Sequence, residues 1–243
     1  MNFHNNDIDL SVIIPSYNVE HTIYTVIKNI SKLLEDANVT YEIISVNDGS
    51  NDETLTALQK LEGKFNLSYI SYSENKGKGY AIRTGILRSR GKFVLYTDGD
   101  LDISTNFILK YLKYLESYDI AIASKKHPES KVDVIQPRTL LSNLFNFSVR
   151  MLTNLSIKDT QVGFKIGRGD IVRKIFNNMV IDRFSFDVEF LVIATLLKLK
   201  IIELPIEMSV KRHFNFTDII RMLFDLLRIS LNYKFTCRYQ KIS

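Results

Sequence analysis

The residues Phe93-Val94-Leu95-Tyr96-Thr97 run directly into Asp98-Gly99-Asp100. A short apolar run reads as a buried strand, and ligands of open α/β sheets bind beyond the carboxyl ends of strands. The run therefore predicts Asp98 and Asp100 at the rim of a cleft. Side chains two apart on a strand project the same way. Two carboxylates so placed are hard oxygen donors suited to Mg2+ or Mn2+, which take one or two carboxylates and add substrate phosphates. The implied chemistry is the handling of a metal-bound diphosphate. An isolated Asp-x-Asp is more often a solvated acidic turn, so the neighbouring loops have to decide.

Three further loops share the chemical character. Pro15-Ser16-Tyr17-Asn18 sets a ring and small polar groups at the end of the apolar run Leu10–Pro15. Asn47-Asp48-Gly49-Ser50-Asn51-Asp52 follows Tyr41–Val46; Asp48 could accept from a base N–H, and Gly49 permits a tight turn. Ser50 or Asn51 is suited to cap the next helix, with Asp52 and Glu53 in its first turn. Asn75-Lys76-Gly77-Lys78-Gly79 is basic and glycine-rich, as phosphate-cradling loops are, although its spacing is not that of a P-loop. Taken together at one sheet edge, these loops point to a nucleotide-diphosphate cleft.

The elements that must position them alternate. Strands are expected at Leu10–Pro15, Tyr41–Val46, Leu67–Tyr72, Lys92–Tyr96 and Ile120–Ser124. Helices are expected at Val19–Leu34, Thr54–Leu61 and Tyr80–Ser89. Such alternation predicts an α/β protein with a mostly parallel central sheet flanked by helices. At 243 residues, 45% hydrophobic and 24% charged, the chain can bury a sizeable core. The single cysteine, Cys237, excludes an intramolecular disulfide framework and fits a reducing compartment. The opening residues predict no signal peptide, and no apolar run predicts a transmembrane helix. His4, His21, His127 and His213 lack metal-ligand spacing. The net charge of +5 is too small and dispersed to imply nucleic acid. Its surplus lies at the end: from Pro205 onward, seven Lys and Arg stand against three Asp and Glu.

The ordered motifs Pro15-Ser16-Tyr17-Asn18-Val19-Glu20, Val46-Asn47-Asp48-Gly49-Ser50, Asn75–Gly79 and Thr97–Asp100 resemble those of family 2 inverting glycosyltransferases with the GT-A fold. In the second half, Ala123-Ser124-Lys125, Asp159-Thr160-Gln161-Val162-Gly163-Phe164-Lys165 and Arg183-Phe184-Ser185-Phe186-Asp187-Val188-Glu189 resemble the polyprenyl-phosphate sugar synthases. Within them the likeness is greatest to the dolichyl-phosphate β-glucosyltransferases, with the dolichol-phosphate mannosyltransferases next. It covers roughly residues 8–210. Three positions depart: Asp-Gly-Asp replaces Asp-Ala-Asp, Val162 replaces a Cys, and Lys125 replaces an Arg, keeping the charge but not the bidentate fork.

The resemblance implies roles. Pro15, Tyr17, Glu20 and Asp48 would hold the nucleoside of the donor, with Lys78 and Asp98 also on the donor side. Asp98 and Asp100 would bind Mg2+ or Mn2+ on its diphosphate. Lys125, Arg138 and Ser142 would receive the acceptor phosphate. Asp100, Gln161, Lys165, Arg183, Asp187 and Glu189 would line the catalytic pocket; Asp187 and Glu189 also have a simpler reading as structural carboxylates paired with Arg183. The expected reaction is transfer of a hexose from a nucleotide-sugar, UDP-glucose before GDP-mannose, to a dolichyl or undecaprenyl phosphate. A phosphate acceptor is already an anion and needs no strong general base, so positioning and charge neutralisation suffice. One rival is a polysaccharide glycosyltransferase with a hydroxyl acceptor, whose base Asp187 or Glu189 would supply. The other is a silent sugar-nucleotide-binding partner of an integral-membrane protein.

The lipid tail asks for an apolar surface. Phe145, Phe147, Val149, Met151, Leu152 and Leu155 follow the acceptor residues, and Ile219–Leu231 is amphipathic, with Arg221 and Arg228 flanking Asp225. The chain therefore divides into a GT-A domain, 1–210, and a basic membrane-interface segment, 211–243. Together these place the protein in the cytoplasm, peripheral on the cytosolic face of a membrane.

Overall fold

Seven short strands with apolar residues on both faces assemble into one sheet. The structure, a computed structural model, describes residues 8–99, 104–134, 149–151, 153, 155–210 and 216–234. Along the first half run β1 (Leu10–Ser16), α1 (Ile23–Asp36), β2 (Tyr41–Asp48), α2 (Thr54–Leu61), β3 (Leu67–Tyr72), α3 (Lys78–Arg88) and β4 (Phe93–Thr97). The second half adds α4 (Phe107–Tyr114), β5 (Ile120–Ala123), β6 (Lys131–Val134), β7 (Phe164–Arg168) and α5 (Gly169–Asn178). It continues with α6 (Phe186–Leu196), β8 (Ile201–Leu204), β9 (Glu207–Val210) and α7 (Phe216–Lys234).

The sheet order is β3-β2-β1-β4-β7-β5-β8, and β6 pairs with β9 in a separate two-stranded ribbon. Every pairing in the large sheet is parallel except those of β7, which runs antiparallel to both β4 and β5. The mostly parallel sheet expected from strand–helix alternation is thus present, with one reversal. That reversal matters to the site. It brings the start of β7 beside the end of β4, with Thr97 opposite Phe164 and Tyr96 opposite Lys165.

Alternate residues of each strand serve opposite cores. Ile13, Val46 and Val94 pack with Ile82 and Ile86 of α3, Phe176 of α5, Phe186 and Phe190 of α6, and Met222, Leu226 and Ile229 of α7. Val12, Ile14 and Leu95 pack with Ile23, Ile27 and Ile30 of α1, Leu58 of α2 and Tyr111 of α4. Two helix starts differ from expectation. Residues 19–22 form a turn, so α1 begins at Ile23; Asn18, at φ 53°, reverses the chain there, and the Val19 N–H goes to Thr54 Oγ1 at 2.9 Å. At the other, α3 begins at Lys78, directly after Gly77 at φ 109°. Among the described residues, no helix is long and apolar enough to cross a membrane.

Candidate active site

Asp98 stands one residue past β4, on the same side of the strand as Tyr96. Its neighbour Gly99 is anchored by Thr22 Oγ1, which donates to the Gly99 carbonyl at 3.0 Å. Two groups bear on the Asp98 carboxylate. Lys78 Nζ, from the first turn of α3, forms an ion pair with Oδ1, both side chains being about a quarter exposed. The second is Gly163, so close that a Cβ there would fall 2.5 Å from Asp98 Oδ2.

The donor-side loops interlock through their polar groups. Asn18 N–H donates to Ser50 Oγ (3.1 Å), and Asn51 N–H to Asn18 Oδ1 (2.9 Å). Glu20 Oε2 accepts from the Glu53 N–H at 2.6 Å. Pro15 is partly exposed, and Tyr17, 41% exposed, projects from the rim. Asp48 is buried, and its carboxylate accepts from the backbone N–H groups of Lys76 (2.8 Å) and Gly77 (3.0 Å). Asp48 and Glu20 thus shape these loops by holding backbone donors. Lys76 Nζ sits 4.9 Å from the Tyr80 ring centre and 5.2 Å from that of Tyr72.

On the far side, Asp159 is fully buried and organises two loops. Its Oδ2 accepts from the Lys125 N–H at 2.9 Å and lies 3.4 Å from Lys125 Nζ; its Oδ1 accepts from the Gln161 N–H at 3.2 Å. Among the described residues, the buried Gln161 side-chain nitrogen has no hydrogen-bond partner. Lys126, next to Lys125 in sequence, is held below the usual lysine range by burial and further by Arg150 and Lys125, against the pull of Asp159.

Deeper, Lys165 is 1% exposed. Its Nζ donates to the Val162 carbonyl at 2.7 Å and to Asp187 Oδ1 at 2.6 Å. Tyr96 also donates to Asp187 Oδ1, at 2.8 Å. Burial pushes the Lys165 ammonium down while Asp187 pulls it back up; burial and then Asp187 drive the Tyr96 phenol well above its ordinary value. Glu189 is fully buried and accepts from the N–H groups of Val180 and Ile181 at 2.8–3.0 Å. Arg183 is exposed beside Gly77.

Of the alternative reading of Asp187 and Glu189 as structural carboxylates paired with Arg183, the partner differs for Asp187, which pairs with Lys165, while Glu189 accepts from backbone N–H groups. Asp100, Arg138 and Ser142 lie outside the described residues. Sequence reasoning missed Tyr96, Asp159 and Asp182, whose carbonyl and carboxylate hold α3. The signal for the first was a phenol inside an apolar strand, and for the second an acid opening a polar motif.

A divalent cation fits Asp98. The carboxylate is partly exposed at the sheet's carboxyl edge, already contacts one cationic group, and has the oxygen chemistry such ions take. Among the described residues no three His, Cys, Asp or Glu gather to enclose a metal.

Residues 11–176 match the model of glycosyl transferase family 2. The chain is 32% identical over 248 residues to the dolichyl-phosphate beta-glucosyltransferase of Dictyostelium discoideum, spanning 94% of this chain and 76% of that protein. It is 35% identical over 245 residues to the Homo sapiens dolichyl-phosphate beta-glucosyltransferase, spanning 92% and 75%. Among solved structures, glucosyl-3-phosphoglycerate synthase from Mycobacterium tuberculosis in complex with UDP aligns with a TM-score of 0.71 at 18% identity, over 93% of this chain and 79% of that one. The same synthase holding Mn2+, UDP-glucose and phosphoglyceric acid gives 0.70 at 17% identity, with the same coverage. The expected GT-A fold is borne out.

Proposed function

This chain belongs to glycosyl transferase family 2 and is a glycosyltransferase, and we propose that it moves glucose from UDP-glucose to a polyprenyl phosphate, inverting the anomeric carbon. The observation that carries the choice of acceptor is the state of Asp187 and Glu189. A hydroxyl acceptor needs a base to remove its proton, and these carboxylates were the base candidates. Both are buried and already hydrogen-bonded, Asp187 to Lys165 and Tyr96 and Glu189 to backbone. A phosphate oxygen needs no base. It attacks the anomeric carbon while the bond to the nucleoside diphosphate breaks and the electron pair leaves with the diphosphate. The names of the relatives and the UDP-glucose of the solved neighbour support the same donor and acceptor.

The chain's own residues divide the labour. Asp48 and Glu20 hold the loops around the nucleoside, beside Pro15 and Tyr17. Lys78, poised at Asp98, is within reach of a diphosphate there. Asp98, with Asp100, would hold Mg2+ or Mn2+, which when bound neutralises the leaving diphosphate as a Lewis acid. On the acceptor side, Lys125, fixed by Asp159, would meet the lipid phosphate together with Arg138 and Ser142. Gln161 offers its unpartnered amide to a substrate oxygen. We assign the work to the cytosolic face of a membrane, with 1–210 as the catalytic domain and 211–243 as the segment that meets lipid. The exposed apolar face of α7 supports this.

Incubating the protein with dolichyl phosphate and Mn2+, and with radiolabelled UDP-glucose or GDP-mannose in turn, tests the reading. Label entering the lipid phase from UDP-glucose, and lost in Asp98→Asn, is expected. Label from neither donor, or only onto sugar hydroxyls, overturns it.

A further inference from the structure

Asp187 and Glu189 sit in the first turn of α6, where acidic residues ordinarily stay solvated against the helix dipole. Here both are buried. Residues two apart on a helix project about 200° from one another, so the two carboxylates reach in opposite directions, and each meets a different loop.

The first arm starts at Asp187. It grips Lys165, and Lys165 in turn grips the Val162 carbonyl at 2.7 Å. That peptide leads into Gly163, which is packed against the Asp98 carboxylate. Tyr96, two residues before Asp98 on β4, ties the same Asp187 oxygen to the strand that carries Asp98. The second arm starts at Glu189. It collects the N–H groups of Val180 and Ile181 and so fixes the segment that follows. The Asp182 carbonyl accepts from the Tyr80 N–H at 2.9 Å, and the Asp182 carboxylate accepts from Arg83 at 2.6 Å. The segment fits the glycine-rich loop so closely that a Cβ on Gly77 would lie 2.6 Å from the Asp182 carbonyl oxygen. One on Gly79 would lie 2.7 Å from Phe186 Cβ, on α6 itself. Between those glycines is Lys78, the ion-pair partner of Asp98.

We infer that Asp187 and Glu189 are positioning residues that never touch substrate. They hold Asp98 by two routes, Asp187 through Lys165 and the Val162–Gly163 peptide, and Glu189 through residues 180–183 and Lys78. This deepens the proposed function and rests on its assignment of Asp98 to the cation and diphosphate. Outer partners of this kind set the orientation of a ligating carboxylate, and their loss lowers metal affinity by about 10- to 100-fold.

The test is Mn2+ binding to the full chain, read by electron paramagnetic resonance without turnover, in the presence of UDP. Asp187→Asn and Glu189→Gln keep shape and remove charge. Each is expected to weaken Mn2+ binding with UDP by about 10-fold or more, while the KM for dolichyl phosphate stays as in the parent. Mn2+ and UDP binding equal to the parent, with kcat alone reduced, would mean direct action on the reacting groups and overturn the inference. Removing charge from a buried pair can prevent folding. Tyr96→Phe and Arg83→Met therefore load each arm without leaving a charge buried. Both are expected to weaken Mn2+ binding in the same sense, and parent-like binding in both refutes the arms. Asp98→Asn separates the two levels. If it binds Mn2+ and UDP normally, the assignment of Asp98 fails; if it loses them while the α6 variants do not, only the positioning role fails.

Discussion

Lys78 and Asp98 meet as an ion pair across the carboxyl edge of the sheet, the lysine from the first turn of α3 and the aspartate from just beyond β4. The ammonium stands at the carboxylate to which the divalent cation is assigned. Lys78 is therefore placed to meet the phosphate oxygens of a diphosphate bound at Asp98 while it fixes that carboxylate. Lys78→Ala separates these two duties. Use of UDP-glucose should fall, since a charge-assisted contact contributes about 1.5–3 kcal/mol, or roughly 10- to 100-fold in kcat/KM. Binding of Mn2+ in the presence of UDP should weaken as well, because Lys78 is the link through which residues 180–183 hold Asp98. Steady-state kinetics and a Mn2+ titration read the two effects, and a variant unchanged in both would remove Lys78 from the site.

Gly163 offers a cleaner perturbation, because its neighbour is the end of a side chain and not backbone. A Cβ at this position would sit 2.5 Å from Asp98 Oδ2 and 2.8 Å from its Cγ. The carboxylate must swing away to admit it. Gly163→Ala should therefore melt close to the parent yet lose about 10-fold or more in turnover, the scale of misplacing a ligating group through its surroundings. Parent-like turnover would show that Asp98 has no fixed position to lose.

How much of this was legible in the sequence follows from where the partners lie. The strands β1, β2 and β4 announce themselves as apolar runs stopped by polar loops, so this edge could be read directly. β7 could not: Phe164-Lys165-Ile166-Gly167-Arg168 carries a lysine at a buried position, and only its partner Asp187, brought in by α6, makes that tolerable. Likewise α6 is apolar on nearly every side, so it has no amphipathic period to mark it as a helix. Arg183 was the cation nearest to Asp187 and Glu189 in sequence, but it faces outward while they turn inward.

Asp225 gives a pH prediction that is independent of the active site. Burial raises its pKa above the ordinary carboxylate range, although Arg228, Ser185 and Arg183 pull it down. The folded chain thus holds this proton more tightly than the unfolded one. Its contribution to stability is full below the unfolded value and is lost as pH rises through the raised one. At neutral pH the fold therefore carries an unfavourable carboxylate. Asp225→Asn should melt above the parent at pH 7, with the gap closing as the pH is lowered into the carboxylate range. A gap that instead reverses at neutral pH would show that the arginine contacts outweigh burial.

The same helix bears on the membrane. Met222, Leu226 and Ile229 of α7 are buried against the domain, while Phe224, Leu227 and Leu231 are 68%, 50% and 56% exposed. The exposed three recur at helical spacing and share their side with Arg221 and Arg228, both also exposed. An apolar stripe bordered by arginines suits an anionic lipid surface. Each apolar side chain inserted would contribute about 1.5–3 kcal/mol, and each arginine about 1 kcal/mol. Leu223, Ile219 and Ile220, which complete the apolar set in sequence, have side chains outside the described residues. Changing Phe224, Leu227 and Leu231 together to Ser should release the protein from phosphatidylserine vesicles and leave its melting temperature nearly unchanged, because none of the three is in the core. Leu226→Ser should do the opposite, lowering the melting temperature through loss of buried packing. Co-sedimentation of the parent should rise with the anionic lipid fraction and fall with added salt, as screening shortens the reach of the arginines. Binding that survives the triple change would move the membrane contact away from α7.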